Sequence, residues 1–166
     1  FGAKVFTTAS TSKKCEFCKT LGADLAINYT MQDYEIEINN FTKGKGVNLI
    51  LDIVGGPYIS KNIDILSHNG KLIQIALIKG IKAEISFLKI MRKNLTITGS
   101  ILRPLTVDQK TKIAIALRKN VWPMLDKGSV RPIINKVFPI EQAEKAHRLM
   151  ESNKHIGKIL LKSEFF

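Results

Sequence analysis

The sequence predicts an α/β fold built on a doubly wound, mainly parallel sheet. Three observations carry that prediction. Short β-prone runs alternate with helical segments at the spacing of βαβ units. Residues 47–54 (VNLILDIV) are apolar almost throughout and flanked by glycines, as in a strand covered on both faces. The chain has 166 residues, 45% hydrophobic and 24% charged, enough for one domain with a proper core.

The elements follow in order. Residues 4–8 (KVFTT) are short, β-prone and closed by a Ser/Thr cluster, which predicts a strand. Ser12 is placed to cap a helix that runs to Leu21 and stops at Gly22. Residues 25–28 read as the next strand. Tyr34, Ile38 and Phe41 then fall at helical spacing, in a segment closed by Thr-Lys-Gly-Lys-Gly at 42–46. After the strand at 47–54, Gly55-Gly56-Pro57 turns the chain, and Ile59, Ile63 and Leu66 mark another helix face. His68-Asn69-Gly70 signals a turn before a strand at 71–77. Residues 81–93 show no single period, and 95–99 (LTITG) read as a strand. One long helix is expected over 107–126, with Ile113, Leu117, Val121 and Leu125 on one stripe. A short extended segment at 137–140, a helix over 141–151 burying Ala143, Ala146 and Met150, and a strand at 157–161 complete the chain.

Composition narrows the function classes. No apolar stretch reaches the ~20 residues that a membrane-crossing helix needs. Phe1-Gly2-Ala3-Lys4-Val5 does not have the pattern of a secretion signal and reads as a chain entered midway. Two cysteines with no such signal favour a reducing, cytoplasmic setting. The net charge of +12 raises nucleic-acid binding as a rival. The lysines are scattered rather than gathered with aromatics, which argues against that role. The charge equally fits a compositional habit of heavy Lys, Asn and Ile use, and it would also suit an anionic, phosphate-bearing ligand.

In open parallel sheets, ligands sit beyond the carboxyl ends of the strands. The loops of interest therefore follow Thr8, Asn28, Val54, Leu77 and Gly99. The first of these, Ala9-Ser10-Thr11-Ser12, leads into a helix bearing Lys13 and Lys14. Hydroxyls, free helix N–H groups and a lysine in the first turn suit a phosphate. In a Rossmann half-domain this loop reads the adenosine ribose. An acid there selects the free 2′-hydroxyl, whereas hydroxyls and a base accept a 2′-phosphate. No acid lies between Lys4 and Glu16, so an NADP site is chemically coherent here. Ser-rich helix starts are common, however, and plain helix capping is the more ordinary reading of the loop taken alone.

Cys15 and Cys18 form a C-x-x-C inside the same helix. No further Cys exists, and His68, His147 and His155 are single and distant, so the pair reads as two small helix residues rather than a metal or redox centre. A G-x-G-x-x-G loop is absent, since Gly44-Lys45-Gly46 precedes a strand and Gly55-Gly56 lacks a third glycine. No Ser-His-Asp set, carboxylate pair or H-E-x-x-H stands out. Asp52 reads as a structural hydrogen bonder rather than a base.

The ordered motifs FGAKV, TASTSKK, LGADLAINY, KGKGVNLILDIVGG, NGKLIQIALIKG, KNLTITGSILR and PIEQAEKAHRLMESNKHIGKILL resemble zeta-crystallin-type quinone oxidoreductases, the zinc-independent branch of the medium-chain dehydrogenase/reductase superfamily. The resemblance runs from first residue to last. It implies that residues 1–166 are a Rossmann-like NADPH-binding domain lacking its first strand and glycine-rich loop, with C-terminal segments that return towards an absent GroES-like domain. It implies that Ser10, Thr11 and Lys14 hold the 2′-phosphate and that Tyr29 lies beside it. Ile53 and Val54 then fall on the adenine side. Ala76, Leu77 and Ile78 pass the nicotinamide ribose, and Ser100, Ile101 and Leu102 run along the nicotinamide. His155 and Lys158 match the last cofactor contacts. Ala76 stands where the family usually has glycine. The implied activity is hydride transfer from NADPH to a quinone or enone, in a homodimer contacting through 81–93 or 95–99, with no protein acid or base assigned. The chain alone is expected to bind NADPH poorly and to be inactive. Two alternatives are an enoyl reductase of the same superfamily and a non-catalytic nucleotide-binding or interaction module.

Overall fold

The computed structural model describes residues 1–163. They form two compact units, residues 1–104 and the remainder from Leu105. In the first unit the chain runs β1 (Phe6–Ala9), α1 (Ser12–Thr20), β2 (Leu25–Asn28), α2 (Tyr34–Thr42), β3 (Val47–Asp52), α3 (Tyr58–Ile65), β4 (Leu66–Gln74), α4 (Phe87–Lys93) and β5 (Thr96–Gly99). The second holds α5 (Val107–Asn120), α6 (Trp122–Asp126), β6 (Ile134–Pro139), a 3₁₀ turn (Ile140–Gln142), α7 (Ala143–Glu151) and β7 (Lys158–Lys162).

Every strand pair is parallel, as the alternation of strand and helix requires. The pairings are β1–β2, β3–β4–β5 and β6–β7. In a Rossmann sheet the strand order is 3-2-1-4-5-6. If β1 and β2 take the second and third places and β3 to β5 the fourth to sixth, the break between β1 and β3 falls where the first strand would lie.

The two sheets of the first unit share one core. Ile27, Tyr34, Ile38 and Ile65 are its buried centre, with Phe6 from β1 and Val47 and Ile50 from β3 packed against it. Fully burying each aliphatic side chain is worth roughly 1.5–3 kcal/mol, so Ile27, Ile38 and Ile65 tie β2, α2 and α3 into one body. In the second unit Phe138 and Ala146 are buried, on β6 and α7.

The structure departs from the sequence reading at several places. Thr11, not Ser12, caps α1: its Oγ1 accepts the Lys14 N–H at 3.2 Å. The strand at 47–54 ends at Asp52 and is not covered on both faces, since Leu49 and Leu51 are 58% and 63% exposed. β4 starts at Leu66, and the 68–70 turn signal is a bulge inside it, with Asn69 at φ 60° and a register shift between Val47/Leu49. Residues 87–93 are helical. The helix expected over 107–126 breaks at Val121, and Pro123 lies in the first turn of α6, where its missing N–H costs no intrahelical bond. Met150 is exposed, and Leu149 is the half-buried residue of that turn.

Candidate functional site

The site grows from the carboxyl ends of β1 and β2. The Tyr29 N–H donates to Ala9 O at 3.1 Å, which keeps the two following loops side by side. Ser10 and Thr11 follow β1. Because Thr11 Oγ1 already accepts from Lys14, its hydroxyl proton remains for a further acceptor. Asn28, buried at the end of β2, donates through Nδ2 to Ser12 Oγ at 3.4 Å and accepts the Thr30 hydroxyl at Oδ1 at 2.7 Å. The Thr30 hydroxyl also lies 3.4 Å from Ser10 O. Ser10, Thr11, Lys14 and Tyr29 are thus brought together. The first turn of α1 carries no acid, although a helix N-terminus favours one.

A second cluster forms beyond β3, β4 and β5. Pairing continues past the strands: Ile78 N–H donates to Ile53 O at 3.3 Å, Lys79 N–H to Val54 O at 2.7 Å, and Gly56 N–H to Gly80 O at 3.0 Å. Ile53 and Val54 are therefore laced to Leu77 and Ile78. Ala76 O accepts Gln74 Nε2 at 2.6 Å, and Ser100 N–H donates to Gln74 O at 3.0 Å. Ile101 and Leu102 follow, both exposed. This lacing requires glycine at 55 and 56. A Cβ on Gly55 would lie 2.8 Å from Gly80 O, one on Gly56 2.5 Å from Lys79 O, and both residues have positive φ.

His155 and Lys158 belong to the second unit. Lys158 opens β7, and its N–H donates to Ile133 O at 2.7 Å. His155 Nδ1 is buried without a hydrogen-bond partner.

Between the 29–34 segment and the start of α3 lies a cavity of about 430 Å³. Tyr29, Tyr34 and Tyr58 supply its aromatic wall, and Asp33 and Lys61 its charges. The Tyr34 and Tyr58 rings stack at 5.6 Å and 9°. Asp33 and Lys61 pair at 2.5 Å, which lowers the Asp33 carboxyl and raises the Lys61 ammonium from their ordinary values. Burial pushes the Tyr34 phenol far up, so it stays a donor. Burial likewise raises Cys15, and both cysteines are free thiols. Among the described residues, no group of three or more His, Cys, Asp or Glu side chains is placed to hold a metal ion.

Sequence reasoning passed over Asn28, Tyr34, Asn62 and the Asp33–Lys61 pair as site elements. A polar residue closing an apolar strand was the available signal for Asn28. Asn62 and Lys61 had none, because their partners lie in distant segments.

Parallel strands alternating with helices place the chain in the Rossmann-like α/β class. Residues 21–161 match a family profile described as zinc-binding dehydrogenase, and the chain belongs to that family. It is 29% identical to 2-haloacrylate reductase of Burkholderia sp over 165 residues, covering 96% of this chain and 48% of the relative. It is 28% identical to quinone oxidoreductase of Sus scrofa, covering 97% of this chain and 47% of the relative. Among solved structures, a quinone oxidoreductase from Thermus thermophilus, described with its NADPH complex, superposes with a TM-score of 0.80 at 28% identity, over 97% of this chain and 50% of that one. An NAD-dependent alcohol dehydrogenase superposes with a TM-score of 0.79 at 30% identity, over 98% and 44%. The chain spans about half the length of the curated relatives it matches, and it corresponds to the C-terminal part of a medium-chain dehydrogenase/reductase.

Proposed function

We propose that this chain is the nucleotide-binding part of an NADPH-dependent oxidoreductase that reduces a quinone or enone. One observation carries the choice of NADPH. The first turn of α1 holds two lysines, Lys13 and Lys14, and no acid, beside the hydroxyls of Ser10, Thr11 and Ser12. Cations at a helix N-terminus oppose the helix dipole. Placing them there is unfavourable for the helix alone and favourable when a dianionic phosphate sits against it. The donor set fits a 2′-phosphate: hydroxyls and helix N–H groups with lysine charge, and no carboxylate to compete for it.

Tyr29 would flank the adenosine phosphate, with Ile53 and Val54 on the adenine side. Ala76, Leu77 and Ile78 would lie along the nicotinamide ribose, and Ser100, Ile101 and Leu102 along the nicotinamide. When bound, the cofactor supplies the hydride. The contribution of this chain is to bind and orient it, and no acid or base is assigned. The names of the relatives, quinone oxidoreductase and 2-haloacrylate reductase, support an electron-poor acceptor.

The test uses probes that need no pyrophosphate cradle. Titrated by NMR, 2′,5′-ADP should bind this chain more tightly than 5′-AMP and shift the amides of residues 10–14. Equal binding of the two nucleotides would overturn the NADPH assignment.

A further inference from the structure

Asp52 ends β3 and is 4% exposed. Its Oδ1 accepts the Val54 N–H at 2.5 Å, both carboxylate oxygens lie 3.3 Å from the Gly55 N–H, and Oδ2 accepts Asn62 Nδ2 at 3.1 Å. Asn62, 6% exposed on α3, carries the chain onward, since its Oδ1 accepts the Tyr34 hydroxyl at 3.1 Å. The polarity of this line is fixed. A carboxylate only accepts and the Tyr34 phenol is held protonated, so the Asn62 amide must face its NH₂ to Asp52 and its oxygen to Tyr34.

At one end the line reaches the Tyr34–Tyr58 stack at the cavity wall. At the other it holds two consecutive amides of the 53–56 turn, which is itself laced to the 78–80 segment. Burying three polar side chains is costly unless each is satisfied. Here their hydrogen bonds converge on one turn.

We propose that Asp52, Asn62 and Tyr34 form a positioning relay that fixes the Val54–Gly55 backbone in the shape that receives an adenosine ligand. This deepens the nucleotide-binding reading and rests on it for the ligand. Asp52 is a positioning residue: it sets the turn through Val54 and Gly55, and the turn meets the nucleotide.

The test has a ligand-free arm and a ligand arm, both on this chain. Asn62→Asp sets two carboxylates face to face, whereas in Asp52→Asn the Asn62 amide can turn over and let the Tyr34 hydroxyl donate to Tyr58 O, 3.4 Å away. Asp52→Asn therefore only exchanges the carboxylate acceptor of the Val54 and Gly55 amides for a weaker amide oxygen. Each should speed hydrogen exchange of the Val54 and Gly55 amides and weaken 5′-AMP by about tenfold, equivalent to about 1.4 kcal/mol. The preference for 2′,5′-ADP over 5′-AMP should stay unchanged, because the 2′-phosphate loop is untouched. The double variant Asp52→Asn/Asn62→Asp restores donor–acceptor order along the whole line, so it should recover protection and affinity relative to Asn62→Asp alone. Tyr34→Phe keeps the stacked ring and removes only the terminal donor. It should speed exchange at Val54 and Gly55 in a chain whose circular dichroism is unchanged.

The relay is overturned by unprotected Val54 and Gly55 amides in the parent chain, or by a double variant no better than Asn62→Asp. Equally, lost protection with 5′-AMP affinity intact removes the positioning role. A parent chain that binds 5′-AMP but does not prefer 2′,5′-ADP sinks the NADPH reading alone. One that binds neither sinks both.

Discussion

At the scale of single residues, Lys14 and the two glycines at 55 and 56 carry the most informative substitutions. Lys14→Asp places a carboxylate where a 2′-phosphate is proposed. It should weaken 2′,5′-ADP by tenfold or more, on the order of a lost charge-assisted bond, while 5′-AMP changes little. A parallel loss of both nucleotides in the titration would show a general disturbance instead. Gly56→Ala meets Lys79 O at 2.5 Å and a φ of 55°. It should destabilise the first unit by about 2 kcal/mol or more, read as a lower urea midpoint. The proposal for Ser10, Thr11 and Lys14 rests on local chemistry, because hydroxyls, lysines and a missing acid all fall within five consecutive positions. The relay from Asp52 to Tyr34 was not, because Tyr34 is separated from Asn62 by 28 positions and only packing brings them together.

At the scale of elements, α3 depends on a lysine from another helix. Lys93 Nζ donates to Asp64 O at 2.7 Å, Leu66 O at 2.9 Å and Ile63 O at 3.3 Å, caging the carbonyls at the end of α3. A cation at a helix C-terminus also complements its dipole. Lys93→Met keeps the stem and removes the donors, so it should cost roughly 2 kcal/mol and lower the melting temperature. The Asp33–Lys61 pair links the start of α2 to α3 and sets a pH dependence. The folded Asp33 carboxyl titrates below its ordinary 3.8, so its contribution is present above that value and is lost as pH falls through the lowered folded value. Lys61 is raised above 10.5, so its contribution is present below that value and fades as pH rises through the raised one. Asp33→Asn should flatten the acid limb of a stability–pH curve, modestly, as expected of a partly exposed pair. An unchanged acid limb would show that the pair adds no stability.

At the scale of the whole molecule, the strands of the first unit divide into β1–β2 and β3–β4–β5, and one face of β3 is open at Leu49 and Leu51. No glycine-rich pyrophosphate loop occurs among the 166 residues. The chain by itself should therefore bind NADPH far more weakly than it would with such a loop. Submicromolar NADPH affinity, measured by fluorescence titration, would contradict this.

The sequence alone determined the class of fold and the parallel sense of the strands, and it carries the pattern on which the phosphate loop is proposed. Those features are written in local patterns: period-2 and period-3.6 apolar spacing, turn residues and the chemistry of adjacent side chains. The apolar run at β3 shows the limit of local pattern. It has the composition of a strand covered twice, yet coverage depends on what packs against each face, and composition does not encode that. Only the tertiary structure decided that the 53–56 turn is laced to the 78–80 segment, that Thr11 rather than Ser12 caps α1, and that Asp52, Asn62 and Tyr34 form one line. Each depends on a direction or on a contact between separated segments, which the chain acquires only when its hydrophobic core closes.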